Sequence, residues 1–186
     1  MSAQTTWKSV CCVATVAVVA VAFAADPARP EVGKVAADFE LNDLQGTKHS
    51  LAETAKKGPV VLMVLRGFPG YQCPVCNKQV GQYLSAAEKF KAKGATVLMV
   101  YPGPSKGLQE HAAEFVSGKT LPAGFHLLID PDYTFTNAYD LRWDAKNETA
   151  YPSTFVLGKD RKVLFAKISK SHGDRADAAD VIKAIP

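Results

Sequence analysis

The sequence is short of the features that would assign a chain at sight. No run of five or more like charges occurs along its 186 residues, and 22 basic against 18 acidic side chains leave a net charge of only +4. A nucleic-acid-binding protein would carry a basic stripe, and there is none. Repeats and low-complexity segments are absent. With 47% apolar and 22% charged residues, disorder, collagen and coiled coil are excluded in favour of one ordinary globular domain. Histidine is scarce: His49, His111, His126 and His172 are scattered singly. No second Cys-x-x-Cys accompanies the one at Cys73 and Cys76, so the ligand pattern of a zinc knuckle is missing. Each histidine is expected to be a surface or half-buried residue without a catalytic role, and neither a metal site nor a cofactor is expected. Long hydrophobic runs are also lacking, because a membrane span needs about 18 to 20 apolar residues and the run from Val10 to Ala25 stops at sixteen.

What that run does contain is informative. Lys8 precedes it, Thr15 is its one clearly polar residue, and Ala22-Phe23-Ala24 supplies the small-x-small pattern of a signal-peptidase site before Asp26-Pro27. The expectation is a signal peptide over residues 1–24 and one domain over 25–186, exported to the periplasm or another extracytoplasmic compartment. The alternative is an uncleaved membrane anchor; with cleavage, no stable membrane insertion is expected. Lipidation at Cys11 or Cys12 is rejected, because Val10 stands where a small residue is needed and the apolar run follows the pair. Cleavage leaves Cys73 and Cys76 as the only cysteines. A pair three positions apart closes too small a ring to staple a large loop, so its value is chemical.

The rest of the chain alternates strand and helix signals. Residues 38–41 and 48–49 flank the turn Leu44-Gln45-Gly46 as a short hairpin, and Ser50 with Glu53 forms a capping box for one helical turn. Val60 to Leu65 reads as a strand buried on both faces. Val80, Leu84, Ala87 and Phe90 recur at helical spacing, predicting one helix of about five turns from Pro74 to the Lys91-Lys93-Gly94 ending. A strand over 95–101, a helix over 105–117, a strand over 125–129 and a short helix over 133–139 follow. Residues 154–157 and 163–166 pair as a hairpin, and a helix over 174–185 closes the chain. The fold class is therefore α/β, a three-layer sandwich with a central mixed sheet and helices on both faces.

Cys73-Pro74-Val75-Cys76 sits where a buried strand hands over to a long helix. Unpaired N–H groups and the positive end of the helix dipole stabilise a thiolate there, and a second sulfur one turn on can resolve a mixed disulfide. Pro74 suits the first helical position, where its missing donor has no partner to lose. Structural zinc, an inert buried pair, and copper delivery with His126 or His172 are the competing uses of such a pair.

On these residues the chain resembles the thioredoxin superfamily. Within it, the likeness is to the redoxin branch, which holds the alkyl hydroperoxide reductase/thiol-specific antioxidant proteins and exported thiol-disulfide oxidoreductases. The likeness runs from Val32 to about Ala184 through the opening segment Ala37 to Gly46, then Cys73 to Cys76, then Tyr151-Pro152-Ser153-Thr154-Phe155. It implies a thioredoxin-like fold with an N-terminal hairpin extension. It further implies that Pro152 is cis, lies against the cysteines and leaves the backbone of Tyr151 free to bind substrate.

The branch holds two chemistries. Peroxiredoxins resemble Pro-x-x-x-Thr-x-x-Cys; here Pro69 starts the same spacing, Cys73 stands at the threonine, Cys76 stands at the peroxidatic position, and Pro152 replaces the expected arginine. Gln72 replaces the tryptophan usual before the first thioredoxin cysteine, and Gly67 falls where thioredoxin has a buried acid, leaving Arg66 as the charge that could favour a thiolate. The expectation is disulfide exchange with Cys73 as nucleophile and Cys76 as resolving thiol, acting on protein disulfides or dithiols with a thiol electron donor. The alternatives are a thiol-dependent peroxidase using Cys76 on peroxide, and a non-enzymatic binding module of the same fold.

Overall fold

The computed structural model describes residues 28–186; the expected signal peptide over residues 1–24 lies outside them. The chain order begins with strands β1 (Glu40–Asp43) and β2 (Lys48–Ser50), helix α1 (Leu51–Lys57) and strand β3 (Val60–Val64). Helices α2 (Pro74–Ser85) and α3 (Ala87–Ala92) lead to β4 (Thr96–Gly103), α4 (Leu108–Val116), β5 (Phe125–Pro131) and α5 (Thr134–Ala138). Strands β6 (Ser153–Leu157) and β7 (Val163–Ile168) and helix α6 (Ala178–Ala184) complete it.

The strands form one seven-stranded sheet in the order β2-β1-β5-β4-β3-β6-β7. β3, β4 and β5 run parallel, and β1, β6 and β7 are antiparallel to their neighbours. Every residue of β3 is buried, as a central strand covered on both faces must be. The expected N-terminal hairpin is present and joins the sheet through Asn42 and Asp43 against β5. Its capping box forms, with Ser50 Oγ accepting from the Glu53 N–H, and α1 runs two turns where one was expected.

Alternating strand residues divide the core in two. One face holds Met63, Leu65, Cys73, Cys76, Val80, Tyr83 and Phe115 under α2, α4 and α6. The other holds Leu62, Val64, Leu98, Leu128, Phe135 and Tyr139 under α1 and α5. Asp130, fully buried at the end of β5, starts α5 by accepting from the Phe135 and Thr136 N–H groups at 2.7 and 3.0 Å.

Two expectations change. The helix after the cysteines is not continuous: it breaks at Ala86 (φ −100°, ψ 11°). A straight helix would put Tyr83 and Phe90 about 10 Å apart along its axis, whereas their rings stack at 5.4 Å across the bend. The closing helix is shorter than 174–185, because residues 169–177 form a loop over the cysteine end of the sheet, tied down by Tyr83 Oη donating to the Ala176 carbonyl.

Candidate active site

The sheet places the two cysteines by a short, sterically defined path. Beyond β3, the Leu65 N–H still pairs with Val100 O at 2.9 Å; the chain then turns at Gly67, whose φ is +71°. A Cβ there would come within 1.9 Å of the Pro102 carbonyl oxygen, so any larger residue would push β3 and β4 apart. That is why the acid usual in thioredoxin has no room here. Cys73 then caps α2 with Pro74 at the first helical position, and no acidic residue occupies the first turn.

The two sulfurs sit in different fields. Cys73 Sγ accepts from the Cys76 N–H at 3.3 Å. Cys76 Sγ accepts from the Arg66 N–H at 3.4 Å and lies 3.9 Å from Arg175 Nη2. Both are free thiols, and both are buried, at 3% and 1% exposure. Cys73 is the more exposed of the two by a small margin, yet it too is covered, because its sulfur turns inward to cap the helix. The Cys76 thiol, donating to Cys73, lowers the Cys73 pKa most; against the cost of burial, the Cys76 N–H and the charges of Arg175 and Arg66 add to this, and the value falls to about 5. The same contact works the other way on its partner. Proximity to the Cys73 thiolate, followed by burial, pushes Cys76 well above the ordinary thiol range.

Arg66 does more than lend its N–H. Its guanidinium, 3% exposed, donates from Nε to Glu148 Oε2 at 2.9 Å, from Nη1 to Tyr71 Oη at 2.5 Å and from Nη2 to the Asn147 carbonyl at 2.7 Å. Glu148 Oε1 meets His172 Nε2 at 2.9 Å. Burial pushes the Glu148 carboxyl up, but the hydrogen bonds from Arg66 and His172 outweigh it and hold it below the usual carboxylate range. Gln72, in the tryptophan's place, ties the cysteine loop to α4 and β4: it donates to His111 O and Glu114 Oε2 and accepts from Tyr101 Oη, each at 2.9 Å. Phe68 stacks on His111 at 3.5 Å on the same wall.

The Tyr151-Pro152 segment differs from what the resemblance implied. Ser153 pairs with Val64, so Pro152 does lie alongside the end of β3, buried. Its peptide bond is trans, as are all others among the described residues. The Tyr151 backbone is not free either. Its N–H donates to Leu141 O at 2.8 Å and its carbonyl accepts from Ser153 Oγ at 2.8 Å. The cause is the loop 141–151, whose ends pair through Arg142 and Ala150 and consume the groups a substrate strand would need. The Tyr151 ring is half-buried and stacks on Trp143 at 4.9 Å. Pro69, in the turn before Gly70, is half-buried and serves the loop geometry.

Residues 32–166 match the AhpC/TSA family. The chain belongs to that family. A thiol-disulfide oxidoreductase ResA of Geobacillus kaustophilus is 30% identical over 133 residues, covering 71% of this chain and 66% of the relative. The match thus spans just under two thirds of that relative's length. A ResA of Bacillus cereus is 26% identical over 76% of this chain and 72% of its own. Among solved structures, the Mycobacterium tuberculosis peroxidoxin BcpB is similar with a TM-score of 0.71 at 25% identity, covering 84% of this chain and 97% of that one. The thioredoxin-like α/β fold is thereby shown.

In this AhpC/TSA chain the sequence pattern points to Cys73, Cys76, Arg66, Pro69 and Pro74, and the structure gathers Arg66 and both cysteines. Glu148, Arg175 and His172 carry no such mark in the sequence, yet all three join the site. These reach the site across 82, 99 and 24 positions of chain, with no spacing signal to link them. The one available hint was negative: with Gly67 barred from supplying an acid, a buried Arg66 required a carboxylate from elsewhere.

Proposed function

We propose that this chain is an exported thiol-disulfide oxidoreductase of the thioredoxin/redoxin type, in which Cys73 attacks and Cys76 resolves. The observation that carries the reading is the geometry that sets the two sulfurs apart. Cys73 Sγ caps α2, where the neighbouring Cys76 thiol and then the Cys76 N–H, at 3.3 Å, lower its pKa to about 5, while Cys76, beside it and buried, is pushed up.

In the first step the Cys73 thiolate attacks one sulfur of a substrate disulfide. A Cys73–substrate S–S bond forms, the substrate S–S bond breaks, and the other substrate sulfur leaves as a thiolate. Cys73 then no longer carries charge, so the largest influence raising Cys76 disappears. Cys76 loses its proton to the departed thiolate or to water, with the Arg66 N–H and Arg175 favouring the anion. It attacks Cys73 Sγ, the Cys73–Cys76 disulfide forms, and the substrate leaves as a dithiol with two electrons gained. A thiol donor returns the protein to its dithiol form. Because the Tyr151 backbone is engaged, substrate contact falls to side chains around the cysteine loop, with Tyr71 the exposed aromatic among them.

A second reading has its own observation. Arg175 supplies, from the far end of the chain, a guanidinium beside Cys76 that the sequence register denied at Pro152. That would suit peroxide attack by Cys76 with Cys73 resolving. The two separate cleanly. Disulfide exchange predicts that Cys76→Ser traps a mixed disulfide with substrate and Cys73→Ser does not. Peroxidase chemistry predicts rapid sulfenic acid at Cys76 in Cys73→Ser. Export rests on the apolar run and Ala22-Phe23-Ala24; intact mass from an extracytoplasmic fraction should place the N-terminus at Ala25, and full-length chain in the membrane would contradict it.

A further inference from the structure

Asp43, His49 and His126 come from three strands and have no part in the thiol chemistry. Their convergence follows from register. Asp43 ends β1 opposite Leu128 of β5, His126 lies two residues before Leu128, and His49 of β2 pairs with Leu41, two residues before Asp43. Period-two alternation therefore turns all three side chains to one face. That is the face of Leu41 and Leu128, opposite the one that holds Cys73 and Cys76.

One donor atom from each of the three lies within 4.8 Å of the others. His49 Nε2 is 2.9 Å from Asp43 Oδ2, and the two imidazole rings are 4.4 Å apart. Asp43 is held in place: its Oδ1 accepts the N–H groups of Gln45 at 3.0 Å and Thr47 at 2.8 Å, leaving Oδ2 toward the rings. A plain histidine–carboxylate pair accounts for His49 alone. His126 is half-buried against it, and its ring makes no hydrogen bond among the described residues. One cation bonded to Oδ2 and to a nitrogen of each ring would satisfy all three.

We propose that Asp43, His49 and His126 form a binding site for a divalent first-row metal ion of the zinc class. Two imidazole nitrogens and one carboxylate oxygen are the donors such ions favour, and a water completes a tetrahedral set. The backbone N–H groups on Oδ1 are the outer contacts that orient a ligating carboxylate. An ion can reach the site, because β1 pairs with β5 only at Asn42 and Asp43 and leaves the start of β5 as an open edge. A cavity of about 360 Å³ runs along that edge: Asp43 and His126 line it on the site's side, and Val116, Leu121, Phe125 and Leu127 of the other face form its far wall. The rim ammonium of Lys119 is turned away onto the Phe115 carbonyl at 2.5 Å. The bound ion would clip the N-terminal hairpin to the central sheet, independently of the redox state of the cysteines.

The test uses untagged full chain with Cys11, Cys12, Cys73 and Cys76 replaced by serine, so that no thiolate competes. Titration with Zn2+ by calorimetry should give one ion per chain, and Co2+ should give the visible bands of a tetrahedral nitrogen–oxygen site. His49→Gln and His126→Gln should each weaken binding by about tenfold or more. In the parent, one equivalent of Zn2+ should shift the imidazole resonances of His49 and His126, a readout that does not depend on the variants folding. Absence of binding, affinity unchanged in either variant, or shifts confined to His111 and His172 would overturn the site.

Discussion

The layer under α1 and α5 and the cysteine end of the sheet are built differently. Under α1 and α5 the core is apolar and aromatic except for Asp130, whose carboxylate is paired with the α5 N–H groups: Phe39 meets Phe135 at 4.8 Å, and Phe135 meets Tyr139 at 4.3 Å. At the cysteine end of the sheet, where β3 hands over to α2, sit a buried guanidinium, its carboxylate, two buried thiols and a second arginine. Burying charge costs stability unless it is fully paired. The first region therefore contributes stability, and the second spends part of it to hold one sulfur ionised and the other protonated.

This contrast can be broken from either side. The largest effect is expected from Phe135→Ala, which should cost about 3–5 kcal/mol in denaturant unfolding through the cavity it leaves. The Cys73 titration should not move, and a shift of it would show that the two regions are not separable. Glu148→Ala should follow at about 3 kcal/mol, since it leaves Arg66 buried without its counter-charge. The same pair predicts a pH dependence. A carboxyl held below its ordinary value adds stability that is present above the unfolded pKa and is lost as pH falls through the lower folded value. Wild type should therefore weaken on acidification below about pH 4.5, the ordinary glutamate value from which Glu148 is lowered, and Glu148→Gln should show less of that slope.

Cys76→Ala sharpens the second region alone. Removing the thiol that donates to Cys73 should raise the Cys73 midpoint by about one to two units, while Cys76→Ser, which keeps a donor, should raise it less. The smallest effect is assigned to Arg175→Gln, a rise of about a few tenths of a unit, because Arg175 acts on Cys73 through its charge alone, whereas Cys76 hydrogen-bonds it directly. A larger shift there than in Cys76→Ala would reverse the order of causes.

The same contrast explains what could be read from the sequence. Elements whose signal is local were readable: β3 from its unbroken apolar run, the hairpin from its turn, α1 from Ser50 and Glu53, and the cysteine pair from its place before Pro74. The bend at Ala86 was not, because the helical spacing of Val80, Leu84 and Phe90 is the same whether or not the helix bends. The Tyr151 backbone was misjudged because its partner, Leu141, belongs to a loop whose closure has no periodic mark. The partners of Arg66 and Cys76 arrive from residues 148 and 175, and the histidines that looked solitary come together only when β2, β1 and β5 align. Contacts set by sheet order or by loop closure, not by spacing along the chain, were the ones lost.

The central claim is that Cys73 is the ionised, attacking sulfur. It is tested most directly by following alkylation of the reduced protein with iodoacetamide across pH, with mass spectrometry to assign the labelled residue. The account predicts a single modification at Cys73 whose rate rises with a midpoint of about 5, with Cys76 unlabelled at neutral pH. First labelling at Cys76, or a midpoint near the ordinary thiol value of about 8.5, would contradict it.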